Sequence, residues 1–456
     1  MRSGYENFFS RSWNTLIRAR ERPASDALHL GHLIEGEKAL PQKLTLPHGK
    51  RPEHLCILGK TGSGKSSLLR NICKQDIEAG HGFIFFDLHG DSTSHLLSLV
   101  ASVEKAQGLD LSDRLVLIDP SDRSRAVGLN ILEAADEQDQ YVQVAEIVQI
   151  LKNRWQLEVF GARTEELLRN ALLVLMQSGF TLLELPPLLT SGAFRAYCLT
   201  RTRNPEARAY FLTRYGRLSP SMQVVVREAV LNKITAFTAD PHFRHLIGQS
   251  RPRFDLKQAL EGGQWIIINL EVGRLGAEAE TLGALLLSRI KHALFARRSR
   301  RLVTLFCDEL QRLLTFDTSL DTLFSEARKF GVSVVSANQY LDQYPPAMQA
   351  ALLAVGTQIY LQLSSLDANL IAGLLGGGRA LTQTLQNLPP RECLVRTEDT
   401  YRRARVPEVR RNPIDFRRLQ ERSEQRFARE RRDVEEEIEE RWKLKGGGRE
   451  VLDGWT

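Results

Sequence analysis

The hydrophobic pattern divides the chain into two kinds of stretch. In one kind, short unbroken apolar runs end in an acid or a turn: 54–58, 82–87, 114–120, 264–270, 301–309, 332–337, 357–361 and 392–395. Runs rich in Val, Ile, Leu and Phe without polar alternation are typical of strands covered on both faces, as in parallel sheets. Helical periodicity between them, at 96–106, 278–297 and 320–330, completes a βαβ pattern. In the other kind, residues 131–262, β-branched runs vanish. Val144, Ile147, Val148 and Leu151, then Leu167, Leu168, Ala171, Leu172 and Leu175, recur at helical spacing. The prediction is an α/β unit with a mainly parallel sheet, interrupted by an all-α insertion. Its parts are a lead-in (1–50) with a strand-like run at Leu44-Thr45-Leu46, a first α/β part (51–130), the insertion (131–262), a second α/β part (263–400) and a tail (401–456).

Residues 59–67, Gly-Lys-Thr-Gly-Ser-Gly-Lys-Ser-Ser, fall where the 54–58 strand turns into the helix opened by Leu68 and Leu69. Glycines at 59, 62 and 64 allow positive φ, so successive N–H groups can turn inward, and the new helix adds its positive end. A Gly/Ser turn that binds nothing is the alternative. The complete G-x-x-x-x-G-K-S spacing in this setting favours a cradle for a nucleotide. That cradle comprises Gly59, Thr61, Gly62, Ser63, Gly64, Lys65, Ser66 and Ser67, with Lys65 reaching the β- and γ-phosphates of ATP and Ser66 holding Mg²⁺.

The run at 301–309 ends in Asp308-Glu309. Many buried strands end in acids, but after a phosphate loop this pair reads as the second half of the site. Asp308 would hold the Mg²⁺ shell and Glu309 would orient and deprotonate the attacking water. Gln339, just past the 332–337 strand, is the candidate sensor of the terminal phosphate. Arg328 is the candidate arginine finger acting in trans, its alternative being a solvated cation at a helix end. Asp87, His89, Asp91 and Asp119 fall at strand ends on the same side, either facing the nucleotide or simply closing turns.

Taken together, Phe86-Asp87-Leu88-His89-Gly90-Asp91, Asp119-Pro120, Asp308-Glu309, Glu326-Ala327-Arg328-Lys329-Phe330-Gly331-Val332 and Ala337-Asn338-Gln339, with the phosphate loop, resemble the HerA/FtsK superfamily. The likeness is to TraG/TraD-type coupling proteins of conjugation and to HerA-like translocases, over 50–130 and 262–396. It implies a RecA-like P-loop NTPase fold, a homo-hexameric ring around DNA and ATP hydrolysis between subunits. It also implies a secretion-channel, relaxase or nuclease partner. The chain departs from the family at Asn338, where Thr is usual, and in having no apolar window long enough for the usual membrane anchor. Attachment to a channel would then need a partner. A secretion ATPase that moves protein, and a nucleotide-gated ring partner of a nuclease or defence effector, share the same site.

Composition adds little. The net charge of +7 arises from 62 basic against 55 acidic residues, which permits nucleic acid without requiring it. The five scattered cysteines fit neither a disulfide framework nor a zinc site and suit a reducing cytoplasm. In the tail, an arginine-rich stretch to Arg432 is either a nucleic-acid contact or a solvated face with internal pairs. Phe427, Val434, Ile438 and Trp442 predict an amphipathic helix docking on a neighbour, ahead of a Gly446-Gly447-Gly448 hinge.

Overall fold

The computed structural model describes residues 27–36, 38–122, 124–134, 139–155, 161–314, 320–398, 400–411 and 413–443. Residues 1–26 of the lead-in and the 446–448 hinge lie outside them. Eleven strands form one sheet. Its parallel part runs, in spatial order, through β5 (Leu115–Ile118), β7 (Trp265–Asn269), β4 (Gly82–Asp87), β8 (Val303–Asp308), β9 (Val332–Asn338), β3 (Leu55–Leu58) and β10 (Thr357–Tyr360). Antiparallel strands then extend the sheet: β11 (Glu392–Thr397), β12 (Thr400–Arg405), β1 (Ala27–Glu35) and β2 (Lys38–Pro47). The expected lead-in therefore contributes a hairpin to the sheet, with Leu44–Leu46 inside β2, and the start of the tail contributes β12 between β11 and β1.

Both faces of the parallel strands are apolar, as the unbroken runs require. On β4, Phe83 and Phe85 pack against α1 (Lys65–Ala79) and α2 (Thr93–Gln107), while Ile84 and Phe86 face the opposite core. That second core continues into the helical insertion, whose longer helices are α3 (Asp139–Trp155), α4 (Ala162–Ser178), α5 (Gly192–Arg201) and α6 (Pro220–Thr238). The chain re-enters the sheet at β7, beside the β5 strand that preceded the insertion, and α7 (Glu278–Phe295) packs under the insertion. Glu146 of α3 accepts from Ser288 (2.7 Å) and sits 3.0 Å from His292, both on α7. With Lys291 also beside it, its carboxyl is held down to about 2 despite burial.

The 401–443 segment differs from expectation. Beyond β12 it forms α8 (Arg417–Phe427), a short strand β13 (Ala428–Glu430) and α9 (Arg431–Lys443). The apolar stripe docks on its own chain: Val434 and Ile438 are fully buried in the shared core, with Phe427 and Trp442 packed at its margin. Strand β13 pairs with β6 (Arg125–Val127). Several of the arginines serve internal pairs. Arg422 and Arg426 bind Glu104 and Asp110, Arg403 and Arg405 bind the buried Glu392, and Arg441 binds Glu184 at 3.0 Å.

Arg51, just ahead of β3, is wholly buried and donates to both carboxylate oxygens of Asp76 on α1 at 2.6 and 2.8 Å. Thr304 of β8 closes the triangle, accepting from Arg51 at 2.7 Å and donating to Asp76 at 2.9 Å. Removing one partner strands a charge in the core, so Asp76→Ala should cost about 3–5 kcal/mol. Breaking the exposed Lys74–Glu78 pair with Lys74→Ala should cost less than about 1 kcal/mol, both read by chemical denaturation.

Candidate functional site

The phosphate loop forms because β3 ends where its neighbours end. Leu58 lies opposite Asn338 of β9, and Asp308 of β8 lies opposite Ala337, so the three strands deliver their termini to one edge. Gly59 N–H donates to Asn338 O at 3.1 Å and Lys60 N–H to Gln362 O at 2.8 Å, which pins the loop's first residues. Gly62 and Gly64 take φ of 77° and 114°, and a Cβ at Gly59 would lie 2.6 Å from Ser63 Oγ. These backbone demands are met by glycine alone at little cost. Beyond Ser63, which turns back to Lys60 O, the N–H groups of Thr61, Gly62, Gly64, Lys65 and Ser66 make no described backbone hydrogen bond. They form an anion cradle at the start of α1.

Lys65 is buried, and its Nζ donates to Gly59 O at 2.7 Å and Lys60 O at 3.1 Å. Burial lowers its pKa, while Asp308 and Glu309 pull the other way. Asp308 is nearly buried and has no described side-chain hydrogen bond. Desolvation raises it to about 6, moderated by Lys65 and His89. Glu309 follows in the left-handed region at φ 58°, a costly conformation for a non-glycine residue and one that aims its carboxylate back across the strand ends. Its Oε1 accepts from Gln339 Nε2 at 2.7 Å and lies 3.1 Å from His89 Nε2. Its Oε2 is 2.8 Å from Arg312 Nε, an ion pair without good hydrogen-bond alignment. The contact with His89 lowers the Glu309 pKa and raises that of the imidazole. Gln339 also accepts from Thr61 Oγ1 at 3.1 Å, joining the phosphate loop to the carboxylate through one amide.

Loop, Lys65, Asp308, Glu309 and Gln339 thus come together. Ser66 and Ser67 stand half-buried on the first turn of α1. Arg328 does not join them. It precedes β9, whose seven residues span roughly 23 Å, and its exposed guanidinium pairs with Glu53 at 3.3 Å. Of the strand-end residues, Asp87 is spent on Gly90, Ser92 and Thr93, and Asp119 on Ser121 and Asn269. Asp91 offers its backbone carbonyl to Arg70, and among these four residues His89 is the one with a described side-chain contact to Glu309.

Two residues had no role in the sequence reading. Arg312 stands three positions after Glu309 on the following helix, a spacing that could have suggested the pair. Arg391 donates its N–H to Ser63 O at 2.7 Å and packs its Cα against Gly64 from a left-handed φ of 67°. That contact comes from 328 residues away, and no local pattern signals it.

The donor set fits a magnesium nucleotide. A buried ammonium satisfied only by carbonyls, a row of free N–H groups and a near-buried carboxylate lacking a protein partner are complementary to phosphate oxygens and one hard cation. Mg²⁺ commonly takes one or two carboxylates with the remaining places filled by phosphate and water. Ser66 and Asp308 would hold it. No group of three or more His, Cys, Asp or Glu side chains that could hold a metal ion exists among the described residues.

Residues 40–389 match the family model of the type IV secretion-system coupling protein DNA-binding domain. The chain belongs to this family. It is a RecA-like P-loop ATPase of the TraG/TraD type, and solved structures bear out the fold. The unbound bacterial conjugative coupling protein TrwBΔN70 is 18% identical, with a TM-score of 0.54, over 88% of this chain and 93% of its own. The plasmid coupling protein TrwB in complex with ADP and Mg²⁺ is 17% identical with a TM-score of 0.55, over 84% and 95%. VirB4 of Thermoanaerobacter pseudethanolicus is 16% identical with a TM-score of 0.58, over 84% and 97%. No curated protein matches the chain at a significant level. No described helix is long and apolar enough to cross a membrane.

Lys65→Ala should lose nucleotide affinity by at least about tenfold, since a charge-assisted contact to phosphate is removed. Glu309→Gln should bind nucleotide as the wild type does and turn over at least about a hundredfold more slowly. Fluorescent-nucleotide titration and phosphate release separate the two; equal loss of binding in both would refute the role given to Glu309.

Proposed function

We propose that this protein is an ATP-driven DNA translocase of the coupling-protein type, working as a homo-hexameric cytoplasmic ring with ATP hydrolysed between subunits. The observation that carries the proposal is the hydrogen-bonded link Thr61–Gln339–Glu309 between the phosphate loop and the catalytic carboxylate. Such a link lets the presence of a terminal phosphate alter the base that activates the attacking water. Lys65 exchanges its two backbone carbonyls for phosphate oxygens. Glu309 orients a water and takes its proton as the water oxygen attacks the terminal phosphorus, and the bridging oxygen leaves with ADP. Mg²⁺ between Ser66 and Asp308 would neutralise charge on the transferred group.

Arg328 cannot serve its own site across the length of β9. We assign it to the site of a neighbouring copy, where a guanidinium would offset charge on the phosphoryl group. The family match, to a DNA-binding domain, and the TrwB structure in complex with ADP and Mg²⁺ support DNA and ATP as the substrates. A secretion channel, relaxase or nuclease would be the further partner, and recruitment to a membrane would come through it.

DNA should accelerate ATP hydrolysis at low ionic strength, with the effect fading steeply as salt rises, because backbone contacts release counterions. Turnover measured across a salt series, with single-stranded and duplex DNA, tests this. Stimulation by a polypeptide with indifference to DNA would instead identify a protein-moving ATPase.

A further inference from the structure

Glu309 is held in a way its role does not require. Its Oε1 faces two protein donors, Gln339 at 2.7 Å and His89 at 3.1 Å, while its Oε2 is ion-paired with Arg312 and accepts no hydrogen bond. A base that must bind a water needs a place on an oxygen for it. Gln339 answers to the phosphate loop through Thr61, whereas His89 and Arg312 lead elsewhere, and both lead to the same place.

His89 sits on the loop after β4. Leu88 O of that loop accepts from Val272 N–H at 3.0 Å, and Gly90 packs so closely on Glu271 that a Cβ there would come within 3.1 Å of its side chain. Arg312 reaches Glu280 at 3.8 Å. Between Glu271 and Glu280 lies an exposed turn built on the short helix Val272–Leu275, with Gly273, Arg274, Gly276 and Ala277 outermost. Its far end is held by the insertion, since Arg154 of α3 donates to Ala277 O at 2.7 Å. The turn is fastened at both ends with a glycine inside each fastening, and Arg274 at its tip has no described side-chain partner.

We infer that this turn senses the phosphate backbone of bound DNA through Arg274, and that His89 is the positioning residue carrying its displacement to Glu309. Without DNA, His89 occupies one of the two donor places on Glu309 Oε1; contact at Arg274 draws the 88–91 loop and opens that place to the attacking water, while Gln339 keeps the other. The inference rests on the motor reading above and adds to it a route from polymer to catalytic base. A shared location alone would not establish coupling, so the test measures the coupling itself.

The experiment compares ATP turnover of the full chain at saturating ATP, with and without single-stranded and duplex DNA. It covers the wild type, His89→Ala, His89→Gln, Arg274→Ala and the His89→Ala/Arg274→Ala double variant. In His89→Ala the DNA-free kcat should rise on the order of tenfold, the factor given by one lost hydrogen bond of typical net strength. KM for ATP should stay unchanged and the stimulation ratio should fall towards one. His89→Gln retains a donor and should return to low DNA-free turnover. Arg274→Ala should reduce the stimulation ratio, and should change nothing further once His89 is alanine. Wild-type DNA-free turnover and stimulation in His89→Ala, a fall in its DNA-free rate, or fully additive losses in the double variant would overturn the inference. Wild-type enzyme indifferent to every DNA would overturn the motor reading instead. In that event an elevated DNA-free rate in His89→Ala would still support the hold on Glu309, and an unchanged rate would overturn it.

Discussion

Three strand ends finishing at one level is the constraint on which the site depends. Asn338 stands opposite Leu58 and next to the residue opposite Asp308, so the loop leaving β3 and the acids leaving β8 meet across β9. Slipping β9 by one position would turn Asn338 to the other face and move Gln339 away from both Thr61 and Glu309. Full coverage of the parallel strands on both faces makes such a slip expensive, because every apolar side chain on the strand would change sides. Dense packing therefore holds together a small polar cluster that would otherwise be unfavourable. Lys65, Asp308 and Glu309 each resist burial; the two acids favour the ammonium and Lys65 favours the Asp308 carboxylate, while Glu309 works against it.

The phosphate loop was legible because its requirement is local: glycines at fixed offsets between a strand and a helix. The Asp308-Glu309 pair was legible only in combination, since its form is common and the loop upstream supplies its meaning. The strand-end acids show where pattern reading stops. Asp87, His89 and Asp119 sit at equivalent places in the chain, yet two of them close turns and the third contacts the Glu309 carboxylate. Side-chain direction after a strand depends on loop geometry that period-two patterning does not encode. Arg391 lies still further from reach, because its contact with the phosphate loop arises when β11 begins beside a segment far away in sequence.

The tail illustrates a related limit for charge. Its arginine density suggested either nucleic acid or a solvated face, and the structure spends much of it on ion pairs within the chain. Arg441 reaches Glu184 and Gly248 O, Arg403 and Arg405 share Glu392, and Arg422 and Arg426 tie α8 to residues 104 and 110. A net charge of +7 is thus a poor guide to where a polyanion binds. Arg274 on its turn has no described side-chain partner, whereas Arg328 and Lys329, exposed ahead of β9, pair with Glu53 and Glu326.

The tail's internal docking also changes what the insertion can do. An insertion joined to a sheet only where the chain leaves and returns would pivot, since β5 and β7 are adjacent strands and the connection has little leverage. Here α9 packs on the helix Pro241–Ile247 of the insertion, α8 packs on β5, and β13 pairs with β6 between them. Together with Glu146 against α7, these contacts fasten the insertion to the sheet at separated points. The 272–277 turn lies within that frame, one end on the β4 loop and the other on Arg154 of α3. A force applied at its tip then has few compliant paths besides its own two glycines and the loop that carries His89, so the rigidity supplied by the last helices is what gives so small a turn mechanical influence over Glu309.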